Sequence, residues 1–155
     1  MAETCSIQGR WKSSDSLTRA LAGKPIDVAA GLVFRQQKLL ITQRPSGKHL
    51  AGLWEFPGGK CEPDETFEEC VVRELNEELC IEVEVVKSFE DVTHDYIDRI
   101  IRLKFFLCLL VKGEPQMVGC SAFKWVTKDN LVKHTFPPAD GRLLRRLVDT
   151  PSLWL

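Results

Sequence analysis

The sequence predicts an α/β fold in which a mixed sheet lies between helices. Runs at Val28 to Phe34, Ile81 to Val86, Ile100 to Val111 and Phe123 to Val126 have the length and composition of strands. Between the first two, Phe67, Cys70, Val71, Leu75 and Leu79 recur every three to four residues, the apolar stripe of a helix. A second amphipathic segment, Gly141 to Val148, follows the last strand.

Taken in order, Val28 to Phe34 and Lys38 to Arg44 read as a hairpin broken by Arg35-Gln36-Gln37. Pro45 to Gly52 is expected to be a loop, and the short apolar run Leu53 to Phe56 ends at Pro57-Gly58-Gly59, a second loop signal. Thr66 with Glu69 three residues later can form a capping box, which starts the helix at Phe67 and lets it run to about Leu79. Residues 1–24 show little periodicity and are expected to be an arm, with residues 25–155 forming one domain. Trp54 and Trp125 are expected in the core or a pocket wall, and Trp11 and Trp154 against the domain or a partner subunit, so a homodimer stays open.

Composition excludes several classes. With 44% hydrophobic and 28% charged residues the chain has the balance of a globular protein, not a disordered one. Its longest apolar stretch, Phe105 to Val111, is too short to cross a membrane, and its first residues lack the apolar segment of a secretory signal. A cytoplasmic location and no membrane partner are the expectations. A net charge of −1 gives no whole-chain attraction to nucleic acid, so any phosphate binding must be local. The six cysteines include no CxxC pair and are expected to be reduced packing thiols, not disulfides or zinc ligands.

The central helix carries the chemistry. Glu77 and Glu78 lie three and four residues after Glu74, so three carboxylates share one face. Like charges at that spacing destabilise a helix by about 0.2–0.5 kcal/mol per pair. A hard divalent cation with oxygen ligands would compensate them, Mg²⁺ being commonly held by a few carboxylates and substrate phosphate. The alternative is a solvated acidic face.

From Gly59 the chain reads GKCEPDETFEECVVRELNEELCI, which resembles the Nudix box GX5EX7REUXEEXGU with Cys80 in place of its last Gly. That Gly follows a helix end, where a left-handed residue is common, so Cys80 is expected to cost a little stability. The resemblance implies a Nudix fold, an α/β/α sandwich with a mixed sheet. It further implies Mg²⁺ (or Mn²⁺) on Glu74, Glu77, Glu78 and the Gly58 carbonyl, with Arg73 positioning the carboxylates and Glu65 pairing with it. A helix carboxylate such as Glu77 would take a proton from the attacking water. The expected reaction turns a nucleoside triphosphate into the monophosphate and pyrophosphate.

The flanks, LWEFPGGK before the box and FPPAD near the end, resemble the MutT-like branch over about Val28 to Leu147. In that branch the matching positions Arg44, Phe56, Tyr96, Arg99 and Asp140 line the base pocket. Members that clear 8-oxo-dGTP from the nucleotide pool have Asn where this chain has Asp140. An ionised Asp offers only acceptors and suits two N–H donors, such as N1–H with the amino group of guanine, or the amino group of cytosine, whereas a protonated one imitates Asn. Oxidised-purine and CTP/dCTP substrates both stay open, as does Asp140 serving only as a helix cap. A further acid of the branch is absent, Gly119 standing in its place, which leaves Glu77, Glu78, Glu114 or Asp95 as the base. His94 with Asp95 reads more simply as an ordinary loop pair. Two rival readings are a non-catalytic nucleotide-recognition domain and an RNA 5′-pyrophosphohydrolase. The first typically lacks the helix carboxylates, and the second wants a basic track, for which Arg142, Arg145 and Arg146 are the only cluster and read more simply as a solvated helix face.

Overall fold

A computed structural model describes residues 23–97 and 99–155. The arm and Trp11 therefore fall mostly or wholly outside the described residues. β1 (Ile26–Arg35) and β2 (Lys38–Gln43) form the expected hairpin, with Gln36 and Gln37 at positive φ, as a two-residue turn between twisted strands requires. β3 (Trp54–Glu55) continues the sheet beside β2. The Pro57-Gly58-Gly59 segment is not a plain loop, because β4 (Gly58–Lys60) pairs antiparallel with Val28–Ala30 of β1. Carried into the interior, its backbone groups need partners, and β1 supplies them: Gly31 also donates to the Pro57 carbonyl at 2.8 Å.

β5 (Glu82–Asp95) and β6 (Ile100–Lys112) make a long antiparallel pair. β6 runs parallel to β1 from Ile26↔Ile101 to Phe34↔Leu109, so the sheet is mixed, in the order β3-β2-β1-β6-β5, with β7 (Ala122–Val126) paired to β2. β5 reaches far beyond Val86, and His94 and Asp95 close its ladder instead of forming a loop. Irregularities between Val85 and Lys87 and between Ser88 and Glu90 shift the alternation, which is why a period-two pattern does not carry through this strand.

Alternate residues of each central strand face opposite layers. Ala29, Val33, Leu40, Phe106 and Cys108 pack beneath α1 (Phe67–Leu79), against Cys70, Val71, Leu75 and Leu79. Ala30, Leu32, Leu39, Ile41, Phe105 and Leu107 face the other layer, where Leu143 and Leu147 of α3 (Gly141–Val148) and Trp154 cover them. This is the expected α/β/α sandwich. Trp54 is a core residue and Trp154 packs on its own domain, edge-on to Phe34 and bonded through Nε1 to the Leu147 carbonyl. The one-turn helix α2 (Lys128–Leu131) is too short to leave a periodic pattern.

Arg142 and Arg146 do not form a merely solvated face. They reach back to Glu90 of β5, at 3.2 and 2.6 Å, and Glu90 is 4% exposed. A carboxylate so buried requires paired charge, and the two arginines supply it while fastening α3 to the sheet.

The start of α1 has the capping box the sequence announces: Glu69 N–H donates to the Thr66 hydroxyl and Thr66 N–H to the Glu69 carboxylate. At its far end Cys80 takes the left-handed conformation (φ 56°, ψ 33°) that Gly would adopt without strain. Cys80→Gly is expected to stabilise the protein by about 0.5–1 kcal/mol, read as a higher urea midpoint at unchanged slope. An unchanged or lower midpoint would show that Cys80 is unstrained there.

Candidate metal and nucleotide site

Arg73, in the middle of α1, organises the acidic face. Its Nε and Nη2 form a two-pronged pair with Glu65 (2.7 and 3.0 Å), while Nη1 is shared by Glu74 and Glu77, each at 3.0 Å. Nη2 also donates to the Lys60 carbonyl, tying the loop before the helix to its middle. Arg73 is thus the cation among three carboxylates, and Glu65 stays ionised down to about 2 because of its bonds to Arg73.

Glu78 is outside this fan. Burial, then the charges of Glu74 and Glu55, push its carboxyl up to about 7. Burial is the larger cause, and the negative charges of Glu74, Glu55 and Glu77 add to it against Lys48, so a cation placed here would favour the ionised form. The donor set is all oxygen, suited to a hard divalent ion. Two glycines bring the backbone against it. A Cβ on Gly59 would stand 2.4 Å from the Glu74 carboxyl carbon, and one on Gly58 would stand 2.0 Å from the Ala29 carbonyl oxygen. Only glycine fits at 58, against the backbone of β1, and a side chain at 59 would displace the Glu74 carboxylate, so β4 runs against the carboxylate face.

Gly119 approaches the same face from the other side. Its N–H donates to the Glu78 carbonyl at 3.0 Å, and a Cβ there would lie 2.7 Å from Glu78 Cγ. A side chain at this position would displace Glu78, so no extra acid can enter here without rearrangement. Glu114 is engaged with Arg35 at 2.7 Å, and Asp95 ends β5.

The candidate base-pocket residues are distributed unevenly. Arg44, at the end of β2, pairs with Glu55 of β3 and donates to the His49 carbonyl. Asp140 is 9% exposed and makes no capping hydrogen bond to α3. Burial, with the Glu55 charge adding and Arg44 opposing, pushes Asp140 up to about 6. Phe56 lies in the core, stacked on Phe136 at 5.2 Å and edge-on to Phe105 at 5.9 Å. Tyr96 and Arg99 are placed at the β5–β6 turn, where Tyr96 N–H donates to the Arg99 carbonyl and its ring is about half exposed.

Sequence reasoning overlooked Glu55. Its own carboxyl is raised by burial against the pull of Arg44, and its charge acts on both Glu78 and Asp140, so it couples a helix carboxylate to the candidate base-reading acid. The available signal was a charged residue between Trp54 and Phe56, an acid in an otherwise apolar run.

The NUDIX domain pattern matches residues 29–146. An 8-oxo-dGTP diphosphatase of Proteus vulgaris is 44% identical over 92 residues, 59% of this chain and 82% of that one. A CTP pyrophosphohydrolase of Escherichia coli is 38% identical over 121 residues, 78% of this chain and 90% of its own. Among solved structures, a MutT protein from a study of Aliivibrio salmonicida and Vibrio cholerae superposes with a TM-score of 0.68 at 32% identity, covering 81% of this chain and 98% of that one. With the family pattern spanning most of its length and relatives of this kind at 32–44% identity, the chain belongs to the NUDIX domain family, in its MutT-like group of nucleotide hydrolases.

Proposed function

We propose that the protein hydrolyses a nucleoside triphosphate to the monophosphate and pyrophosphate as part of nucleotide-pool sanitation, with Asp140 reading the base. The observation that carries this reading is the charge arrangement on α1. Arg73 neutralises part of a four-carboxylate set and leaves Glu78, backed by Glu74 and Glu55, with uncompensated negative charge. Glu74, Glu77, Glu78 and the Gly58 carbonyl would hold Mg²⁺, with Mn²⁺ as an alternative of the same hardness. When bound, the ion would supply neutralisation of phosphate charge. Arg73 keeps Glu74 and Glu77 fixed relative to the Lys60 segment, which limits the ordering still required when substrate binds. Glu77, whose side chain is the more exposed of the two, takes the proton of the water that attacks phosphorus. Arg44, Phe56, Tyr96 and Arg99 are assigned to the nucleotide, with Glu55 holding Arg44 in place.

The base follows from the protonation of Asp140. Its carboxyl holds a proton up to about pH 6. Protonated, it offers one donor and one acceptor, as an Asn would, and suits a carbonyl next to an N–H on an oxidised guanine. Ionised, it offers only acceptors, suited to the amino group of cytosine or to the N1–H and amino group of guanine. The protein therefore serves 8-oxo-dGTP-type substrates toward acid pH and CTP/dCTP-type substrates toward alkaline pH.

Incubation with dCTP, CTP, dGTP, 8-oxo-dGTP and a nucleoside diphosphate sugar, with Mg²⁺ or with EDTA, is expected to give pyrophosphate from a triphosphate only when Mg²⁺ is present. Glu77→Gln is expected to lower kcat by about 100-fold or more. Turnover of the nucleoside diphosphate sugar alone would contradict the reading. A second expectation concerns the ratio of kcat/KM for 8-oxo-dGTP over dCTP, in which the titration of groups common to both reactions cancels. The ratio should fall as pH rises from about 5 to about 8, and Asp140→Asn should keep it high and flat. A ratio independent of pH in the unaltered protein would remove Asp140 from base selection.

A further inference from the structure

We propose that Cys61, Glu65 and Cys70 form a second cation site, selective for a soft divalent ion of the Zn²⁺ type, that clasps the loop before α1 to the first turns of that helix. The Sγ atoms of Cys61 and Cys70 and a carboxylate oxygen of Glu65 all lie within 4.8 Å of one another. Ligands about 2.0–2.3 Å from a tetrahedral ion stand about 3.3–3.8 Å apart, so the three atoms need only small shifts to close on one centre. Sequence spacing conceals the site, since eight residues separate the cysteines and no CxxC pair is formed. The capping turn at Thr66 and the helix bring them together.

The hydrogen bonds in this corner show where the ion would stand. Both cysteines are free thiols, and the Cys70 thiol donates to the Gly59 carbonyl at 3.5 Å. Glu65 has about four lone-pair positions. Among the described residues three are taken, by Arg73 Nε, Arg73 Nη2 and the Glu62 N–H, which leaves one on Oε1. Coordination of Cys61 and Cys70 would release both thiol protons. One divalent ion replacing both protons leaves the local charge unchanged, and the Glu65–Arg73 pair can persist.

The neighbours fit thiolates. Arg73 Nη2 lies 3.9 Å from Cys70 Sγ, placing a permanent cation beside the sulfur. Cys70 is buried, while the half-buried Cys61 leaves a way in for the ion and for a fourth ligand from solvent. Burial raises both thiols, so without an ion they stay protonated and unreactive, and coordination is what would deprotonate them. Thiolates are soft ligands and discriminate against Mg²⁺, so this site and the all-oxygen helix face would sort two kinds of cation side by side. Bridging the loop residues Cys61 and Glu65 to Cys70 on α1 would stabilise the segment that carries Arg73's principal partner.

The proposal rests on this geometry and not on the hydrolytic reading, and Mg²⁺-dependent hydrolysis measured in the same buffer tests that reading separately. The reduced, metal-stripped full chain is titrated with Co²⁺ while Mg²⁺ saturates the carboxylates, and thiolate-to-cobalt charge-transfer absorption is followed. One Co²⁺ per chain is expected, displaced by Zn²⁺, with Zn²⁺ raising the Tm. Cys61→Ser should weaken Co²⁺ binding by more than about tenfold and abolish the Tm shift, as should Cys70→Ser if it folds. Cys80→Ser and Cys120→Ser should leave both intact. The absence of a charge-transfer band, or a band that survives in Cys61→Ser, would overturn the assignment.

Discussion

The interaction on which the rest of the site depends is the fan of hydrogen bonds from Arg73. One guanidinium holds Glu65, Glu74, Glu77 and the Lys60 carbonyl, so it fixes the helix face and the preceding loop relative to each other. A lysine would carry the same charge but could not reproduce this planar, multiply bonded geometry. The arrangement also offsets part of the repulsion among Glu74, Glu77 and Glu78 with a cation within the same helix, leaving Glu78 outside its hydrogen bonds.

Close packing makes the fan possible. Gly58 and Gly59 let β4 lie against both β1 and Glu74, and Gly31 leaves room for Leu75, since a Cβ there would stand 2.9 Å from its Cδ2. Gly119 does the same for Glu78 from the opposite side. Backbone is therefore packed against Glu74 and Glu78, which strengthens their mutual influence, while Glu77 stays exposed. The substitution of Cys for Gly at position 80 falls outside this contact set, at the end of the helix where the conformation is strained but the face is untouched.

Toward the nucleotide side, Glu55 links two regions that are remote in sequence. Its charge bears on Glu78 of α1 and on Asp140 at the start of α3, and Arg44 is its partner. The proposed base reader and the proposed cation site are consequently under a common field, and a substrate spanning both would meet an electrostatic gradient set by one residue of a two-residue strand. On the opposite edge Glu90 with Arg142 and Arg146 secures α3, and with it the position of Asp140.

Much of this protein was legible in the sequence because its determinants are local. The capping box, the apolar stripe of α1 and the carboxylate spacing are set by helical periodicity, and the hairpin by a short polar break, so Thr66, Glu69, Leu75 and the Glu74–Glu77–Glu78 face could be placed by counting. The extent of β5 and the pairing of β4 could not. The first is obscured by bulges and the second depends on a partner strand some thirty residues away, and both were decided by backbone groups that had to be satisfied across the sheet. Nor could counting reveal that Cys61 and Cys70 meet at Glu65, that Glu55 bears on Asp140, or that Glu90 is buried between two arginines. Spacing along one element gives the direction of a side chain; which charge or thiol it meets is determined only when separate elements pack, because burial and proximity, not identity, set the field each group experiences.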